Sequence, residues 1–177
     1  QVVRTLEAHE SRINAVAASP TALAFATGDT DGGLYLWQLD IDGDGVLGTA
    51  EEVTELAGAH TQAVTDIQFS DSGQHLLSTA LNDTVAYWAN PALALFQTID
   101  TGIDVPIEAG AFLDNRYALF GPEDGGLMLW DLTQADTGWV DDISLPEQGN
   151  LITAMDVSDD DAYSIVGLDN GVILQID

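Results

Sequence analysis

The chain has 177 residues, of which 46% are hydrophobic, and it carries a formal net charge of −27 at pH 7. Its thirty acidic residues face three arginines and no lysine, which excludes the basic surface that nucleic acids or anionic membranes require. The absence of cysteine excludes disulfides and thiolate metal sites, and no apolar run is long enough to cross a bilayer.

Short segments of alternating, β-prone residues run through the whole chain and are separated by turns rich in Gly, Asp and Asn. This pattern predicts strands, and helical periodicity is absent. In chain order the predicted strands are 2–6, 13–18, 23–27, 34–39, 53–56, 64–69, 75–79, 84–88, 94–99, 107–112, 117–120, 127–132, 140–145, 152–157, 162–166 and 172–176.

One unit, a tight turn followed by a strand, occurs four times. Its equivalent end positions are Trp37, Trp88, Trp130 and, in a degenerate last copy, Gln175, which are 51, 42 and 45 residues apart. A period of roughly 40–45 residues indicates a blade-by-blade architecture. The first interval is longer because residues 40–52 form an insertion. The predicted blades cover about 7–57, 58–100, 101–146 and 147–177, and strand 2–6 completes the last one.

The repeats share a polar signature. The first copy has His9, Thr27, Asp31 and Trp37, and the second has His60, Ser78, Asn82 and Trp88. The third keeps Asp124 and Trp130 without a histidine, and the fourth keeps Asp169 alone. This signature resembles the WD-repeat (G-beta repeat) β-propeller family. The resemblance implies an all-β propeller with four blades of four antiparallel strands. It also implies that the signature residues form a buried hydrogen-bonded scaffold and no catalytic site.

The two ends of the chain are complementary, because strand 2–6 has no blade before it and the last blade lacks its outer strand. In the family such ends imply closure by strand exchange, which removes exposed sheet edges. Three closures remain open: a self-closed ring, a homodimer, or a seven- or eight-bladed ring completed by a longer parent chain. The last two are favoured. Because the chain begins at Gln1, we expect a processed product or a fragment.

Residues 40–51 resemble a calcium loop of the EF-hand kind, with acidic residues at its first, third, fifth and twelfth positions. The resemblance implies calcium as a structural ion. Its ligands would be the carboxylates of Asp40, Asp42, Asp44 and Glu51, the Val46 carbonyl, and a water at Gly48. Strands flank this loop where the family has paired helices. The alternative is an acidic hairpin insertion without an ion.

Three classes of function remain after these exclusions. The leading prediction is a non-catalytic scaffold that presents its loops to a protein partner. The second is a calcium-stabilised structural module of a larger secreted or surface protein. The third, a propeller enzyme, ranks lowest because no nucleophile elbow, phosphate loop or zinc-spaced histidine pair is present. The self-repelling charge favours an extracellular, periplasmic or high-salt environment over ordinary cytoplasm.

Overall fold

A computed structural model describes residues 5–41, 47–89, 94–101, 105–114, 116–123, 126–134, 138–146, 150–158 and 162–176, with the backbone alone at 41, 47–51, 94–97 and 100. Within these ranges the chain forms fifteen strands and no helix. The described residues therefore include no helix that could span a membrane.

The strands form four antiparallel sheets, each made of consecutive segments of the chain. The first sheet contains β1 (Ile13–Ala18), β2 (Ala24–Asp29), β3 (Leu34–Ile41) and β4 (Leu47–Glu55). The second contains β5 (Val64–Phe69), β6 (His75–Ala80), β7 (Thr84–Ala89) and β8 (Ala94–Asp100). The third contains β9 (Ile107–Leu113), β10 (Tyr117–Pro122), β11 (Leu127–Asp131) and β12 (Trp139–Ile143). The fourth contains β13 (Ile152–Val157), β14 (Ser164–Leu168) and β15 (Ile173–Ile176).

Each sheet packs face to face on the next, because alternate side chains of a strand point to opposite faces. The first and second sheets bury a cluster that includes Leu34, Leu36, Val64 and Trp88. The second and third bury Leu77, Tyr87, Phe120 and Trp130 among others, and the third and fourth bury Leu119, Leu127, Ile152 and Val166. The predicted all-β propeller is confirmed, with each sheet as one blade.

The outer faces of the first and fourth blades are only partly covered by the described residues. Val16 on β1 is 68% exposed, and Ile173 on β15 is 73% exposed. The predicted partner of β15 is strand 2–6, of which residues 2–4 lie outside the described residues. Closure by strand exchange, with its three alternatives, therefore stays a prediction.

The hairpin between the second and third strands of a blade contains a residue with positive φ. This residue is Gly32 in the first blade (φ 89°), Asp83 in the second (φ 58°) and Gly171 in the fourth (φ 84°). Glycine adopts this conformation without the steric penalty that a Cβ brings, and Asp tolerates it. The three residues therefore mark one structural position of the repeat.

This position corrects the alignment of the fourth repeat. Trp37 follows Gly32 by five residues, and the residue five after Gly171 is Ile176, so the predicted equivalence of Gln175 with the tryptophans is wrong. The strand pairings agree, since Ile176 lies opposite Ser164 as Trp37 lies opposite Phe25. Ile176 packs against the third blade, whereas Gln175 is exposed on the other face.

The predicted insertion at residues 40–52 is largely strand, and the outer strand begins earlier than predicted. β3 extends to Ile41, and β4 begins at Leu47 instead of residue 53. The two strands pair over most of this length, with Leu39 opposite Glu51 and Ile41 opposite Leu47. Most of the segment is therefore hairpin strand.

Candidate functional site

A chain of polar contacts runs through the first blade from its tryptophan to a carboxylate. The buried indole Nε1 of Trp37 donates to Thr27 Oγ1 at 2.8 Å. Thr27 Oγ1 lies 2.6 Å from His9 Nε2, and His9 Nδ1 lies 2.7 Å from Asp29 Oδ2. If the histidine is neutral with its proton on Nδ1, each of these polar groups has a hydrogen-bond partner. The contacts tie the loop before β1 to β2 and β3.

The carboxylate in this network is Asp29, so the predicted role of Asp31 is wrong. Asp29 also accepts the backbone N–H groups of Asp31 and Gly33, at 2.9 and 2.8 Å. Burial raises the pKa of Asp29, but the bonds from His9 and the two amides outweigh it and hold the pKa below its usual value. Asp31 is exposed and accepts a hydrogen bond from the Ser11 hydroxyl.

The second blade contains the same series of hydrogen bonds, but a threonine and an asparagine take the place of the carboxylate. Trp88 Nε1 donates to Ser78 Oγ at 3.2 Å, and Ser78 Oγ lies 2.7 Å from His60 Nε2. His60 Nδ1 lies 2.9 Å from Thr84 Oγ1, which donates to Asn82 Oδ1 at 3.0 Å. With no carboxylate beside it, burial lowers the pKa of His60 to about 4, so the ring is neutral at pH 7.

Among its described residues, the third blade lacks the network. Phe120 occupies the position of Thr27 and Ser78, two residues after the strand partner of the tryptophan. The indole Nε1 of Trp130 is consequently buried without a hydrogen-bond partner in the part of the chain that the structure describes.

The His–Asp–Thr geometry of the first blade resembles a nucleophilic relay, but its hydroxyl cannot reach a substrate. Thr27 is only 5% exposed, and its oxygen already contacts both Trp37 and His9. The arrangement recurs in the second blade around Ser78, which is fully buried. A repeated, buried and satisfied network stabilises each blade and offers no open catalytic group.

Comparison with known proteins agrees with this repeat geometry. The family model described as "WD domain, G-beta repeat" matches residues 1–38 and 51–89. The chain belongs to the WD-repeat family. The matched segments include both complete His–Thr/Ser–Trp networks.

Several known proteins are similar to this chain over most of its length. WD repeat-containing protein 44 of Xenopus laevis is 30% identical over 164 residues, which cover 88% of this chain and 17% of that protein. Nuclear distribution protein nudF 1 of Talaromyces marneffei is 32% identical over 152 residues, which cover 78% of this chain and 31% of that protein. This chain thus spans less than a third of either relative.

A solved structure shares the same fold. The crystal structure of the computationally designed Ika4 protein superposes with a TM-score of 0.71 at 23% identity. The superposition covers 99% of this chain and 96% of the Ika4 chain.

An acidic cleft opens beside the first WD-repeat network, between the first and second blades. Its volume is about 330 Å³, and carboxylates of Glu10, Asp29, Asp31 and Glu55 lie along it. Tyr35, His60 and the buried Leu34 and Leu56 also line the cleft, which contains no lysine or arginine. Burial raises the pKa of the Tyr35 hydroxyl, and the charges of Glu55, Asp29 and Glu10 raise it further. The cleft is therefore lined by negative charge that no lysine or arginine in its lining offsets.

The predicted calcium ligands are only partly placed. Asp42, Asp44 and Val46 lie outside the described residues. Asp40 is exposed near the end of β3, and Gly48 and Glu51 belong to β4. Elsewhere in the described part of the chain, no three acidic or histidine side chains converge as a metal site would require. The calcium site stays a prediction.

Sequence reasoning did not single out the cleft. Glu10 and Glu55 are separated by most of the first blade, and neither belongs to the repeat signature. The position of Glu10 directly after His9 could have indicated the cleft. The loop that contains His9 and the turn that contains Asp31 lie at the same end of the blade, so their acidic residues are close together.

Proposed function

We propose that this WD-repeat chain is a non-catalytic interaction scaffold that binds a positively charged segment of a partner protein at the acidic cleft. The observation that carries this proposal is the position of four acidic residues along a cleft between two blades. Oppositely charged groups across an interface accelerate association and select the partner.

The shape of the cleft favours a long cationic side chain. Its carboxylates are too dispersed to hold a metal ion, but arginine and lysine reach a carboxylate at the end of a long aliphatic stem. The Tyr35 ring and the aliphatic floor would contact that stem, while Asp31 and Glu55 at the exposed rim would pair with its charge.

Peptide binding tests the proposal. The probe is a short fluorescent Arg-Ser repeat peptide, measured by anisotropy at moderate salt. The double variant Asp31→Asn/Glu55→Gln should weaken binding roughly tenfold, because two rim charges are lost without disturbing the His9–Asp29 pair.

The matched control removes two exposed carboxylates elsewhere, in the variant Asp71→Asn/Asp141→Asn. We expect it to change the affinity less than about twofold, because salt screens charges that lie far from the cleft. Equal losses in the two double variants would show that the peptide responds only to net charge, and the cleft assignment would then fail.

We also propose a structural calcium site in the β3–β4 hairpin, the basis of the alternative function as a calcium-stabilised module of a larger protein. The support is the spacing of oxygen-bearing residues from Asp40 to Glu51.

Calorimetric titration of metal-free protein tests the calcium proposal. Calcium should release or absorb measurable heat and raise the melting temperature, and Asp44→Ala should abolish both effects because it removes a central carboxylate. Asp71→Asn serves as a control outside the hairpin and should behave as wild type. The absence of heat and of a thermal shift at millimolar calcium would refute the site.

A further inference from the structure

The first strand of each blade (β1, β5, β9 and β13) contains a β-bulge. The residue that follows the bulge is of a different type in the second blade from that in the other three. At this position the first, third and fourth blades carry Ala15, Ala109 and Ala154, whereas the second carries Asp66. Three alanines show that the repeat itself needs only a small side chain here. The carboxylate is therefore a special feature of one blade.

Asp66 connects the second blade to the third. Its Oδ2 accepts the backbone N–H of Gly110 on β9 at 3.2 Å, and its Oδ1 accepts the N–H of Ile67 at 2.8 Å. Gly110 permits this approach, because a Cβ there would lie 2.9 Å from Thr79 Cγ2. Beside it, Thr65 Oγ1 donates to the Ile107 carbonyl at 2.5 Å. The carboxylate thus lies in the junction between two packed blades.

No cation on the surrounding strands offsets the charge of Asp66. Strands β1, β2, β6, β9 and β13 contain no lysine or arginine. Their ionisable side chains are Asp29 on β2, His75 on β6, Glu108 on β9 and Asp156 on β13, and β1 has none. Asp29 is paired with His9, and burial lowers the pKa of His75, which leaves it neutral at pH 7. The neighbouring charges are therefore negative.

We propose that Asp66 makes the junction between the second and third blades acid-responsive, so that protonation of its carboxyl group stabilises the packed blades against unfolding. Burial raises the pKa of Asp66 to about 6, and the charge of Asp156 raises it further, although the Gly110 and Ile67 amides oppose the shift. The usual value is 3.8. The stability contributed by this proton is fully present below pH 3.8 and is lost as the pH rises through about 6.

Urea unfolding between pH 5 and pH 8 tests the effect on stability. We expect Asp66→Asn, which is neutral at every pH, to unfold at a higher urea concentration than wild type at pH 8 and to converge with it towards pH 5. The unfolding constant of wild type should rise relative to that of the variant by on the order of tenfold or more across this range. His60 titrates with the opposite sign, but it is present in both proteins and cancels in the comparison.

The control Asp71→Asn removes an exposed carboxylate from the β5–β6 turn of the same blade and should follow wild type at every pH. A carbon-detected NMR titration of the Asp66 carboxyl in wild type gives a second readout that does not depend on a variant folding. Its midpoint should lie near pH 6, and Asp156→Asn should lower it. A midpoint near pH 4, or an Asp66→Asn variant that tracks wild type throughout, would overturn the proposal.

Discussion

At the scale of single residues, the three blade tryptophans have unequal polar environments. Trp37 and Trp88 donate to the hydroxyls of Thr27 and Ser78, whereas Phe120 replaces the acceptor next to Trp130. A buried donor without a partner forfeits its hydrogen bonds to water and gains none in return. The third blade therefore bears a cost that the first two avoid.

This difference predicts that the same substitution destabilises the blades unequally. Trp37→Phe loses a hydrogen bond together with part of the indole volume, whereas Trp130→Phe loses similar volume and also removes an unsatisfied donor. We expect Trp37→Phe to reduce the free energy of unfolding by about 1–3 kcal/mol more than Trp130→Phe does. Urea unfolding followed by circular dichroism measures both.

Trp88→Phe is the matched control, since Trp88 also donates to a buried hydroxyl. It should resemble Trp37→Phe. If Trp130→Phe proved as destabilising as the other two, the indole of Trp130 would have a hydrogen-bond acceptor in solution.

At the scale of elements, the hairpin turn between the second and third strands both shapes a blade and joins it to the next. A Cβ at Gly32 would lie 2.9 Å from the His60 carbonyl oxygen, whereas one at Gly171 would meet nothing within 4 Å. The first turn thus needs glycine for its positive φ and for contact with the second blade. The last turn needs it for φ alone.

At the scale of the whole molecule, charge is the dominant feature. A net charge of −27 on 177 residues produces self-repulsion that opposes the compact state. Arg116 donates two hydrogen bonds to Asp131, and these lower the pKa of that carboxyl, but three arginines cannot neutralise thirty acidic residues.

We therefore expect the melting temperature to rise markedly from dilute buffer to molar sodium chloride, because salt screens the repulsion between surface carboxylates. Differential scanning calorimetry in sodium chloride measures this, and a chelator in every sample separates screening from calcium binding. An unchanged melting temperature over that range would contradict the prediction of a high-salt environment.

The sequence alone determined the features that depend on local pattern. Alternation of apolar residues located the strands, and the spacing of Trp37, Trp88 and Trp130 predicted the blades. The partners Thr27 and Ser78 of the two histidines were also predicted correctly. These features follow from the period of a strand and from repetition, which a sequence records directly.

Tertiary structure decided the contacts that join distant segments. The choice of Asp29 over Asp31 depends on the path of the backbone, since Asp29 ends β2, Asp31 lies in the turn that follows, and only Asp29 contacts His9. The shift from Gln175 to Ile176 depends on which glycine has positive φ. The junction at Asp66 required Gly110, 44 residues away, to leave its space open. Backbone torsions and packing across blades set these relations, and no local pattern encodes them.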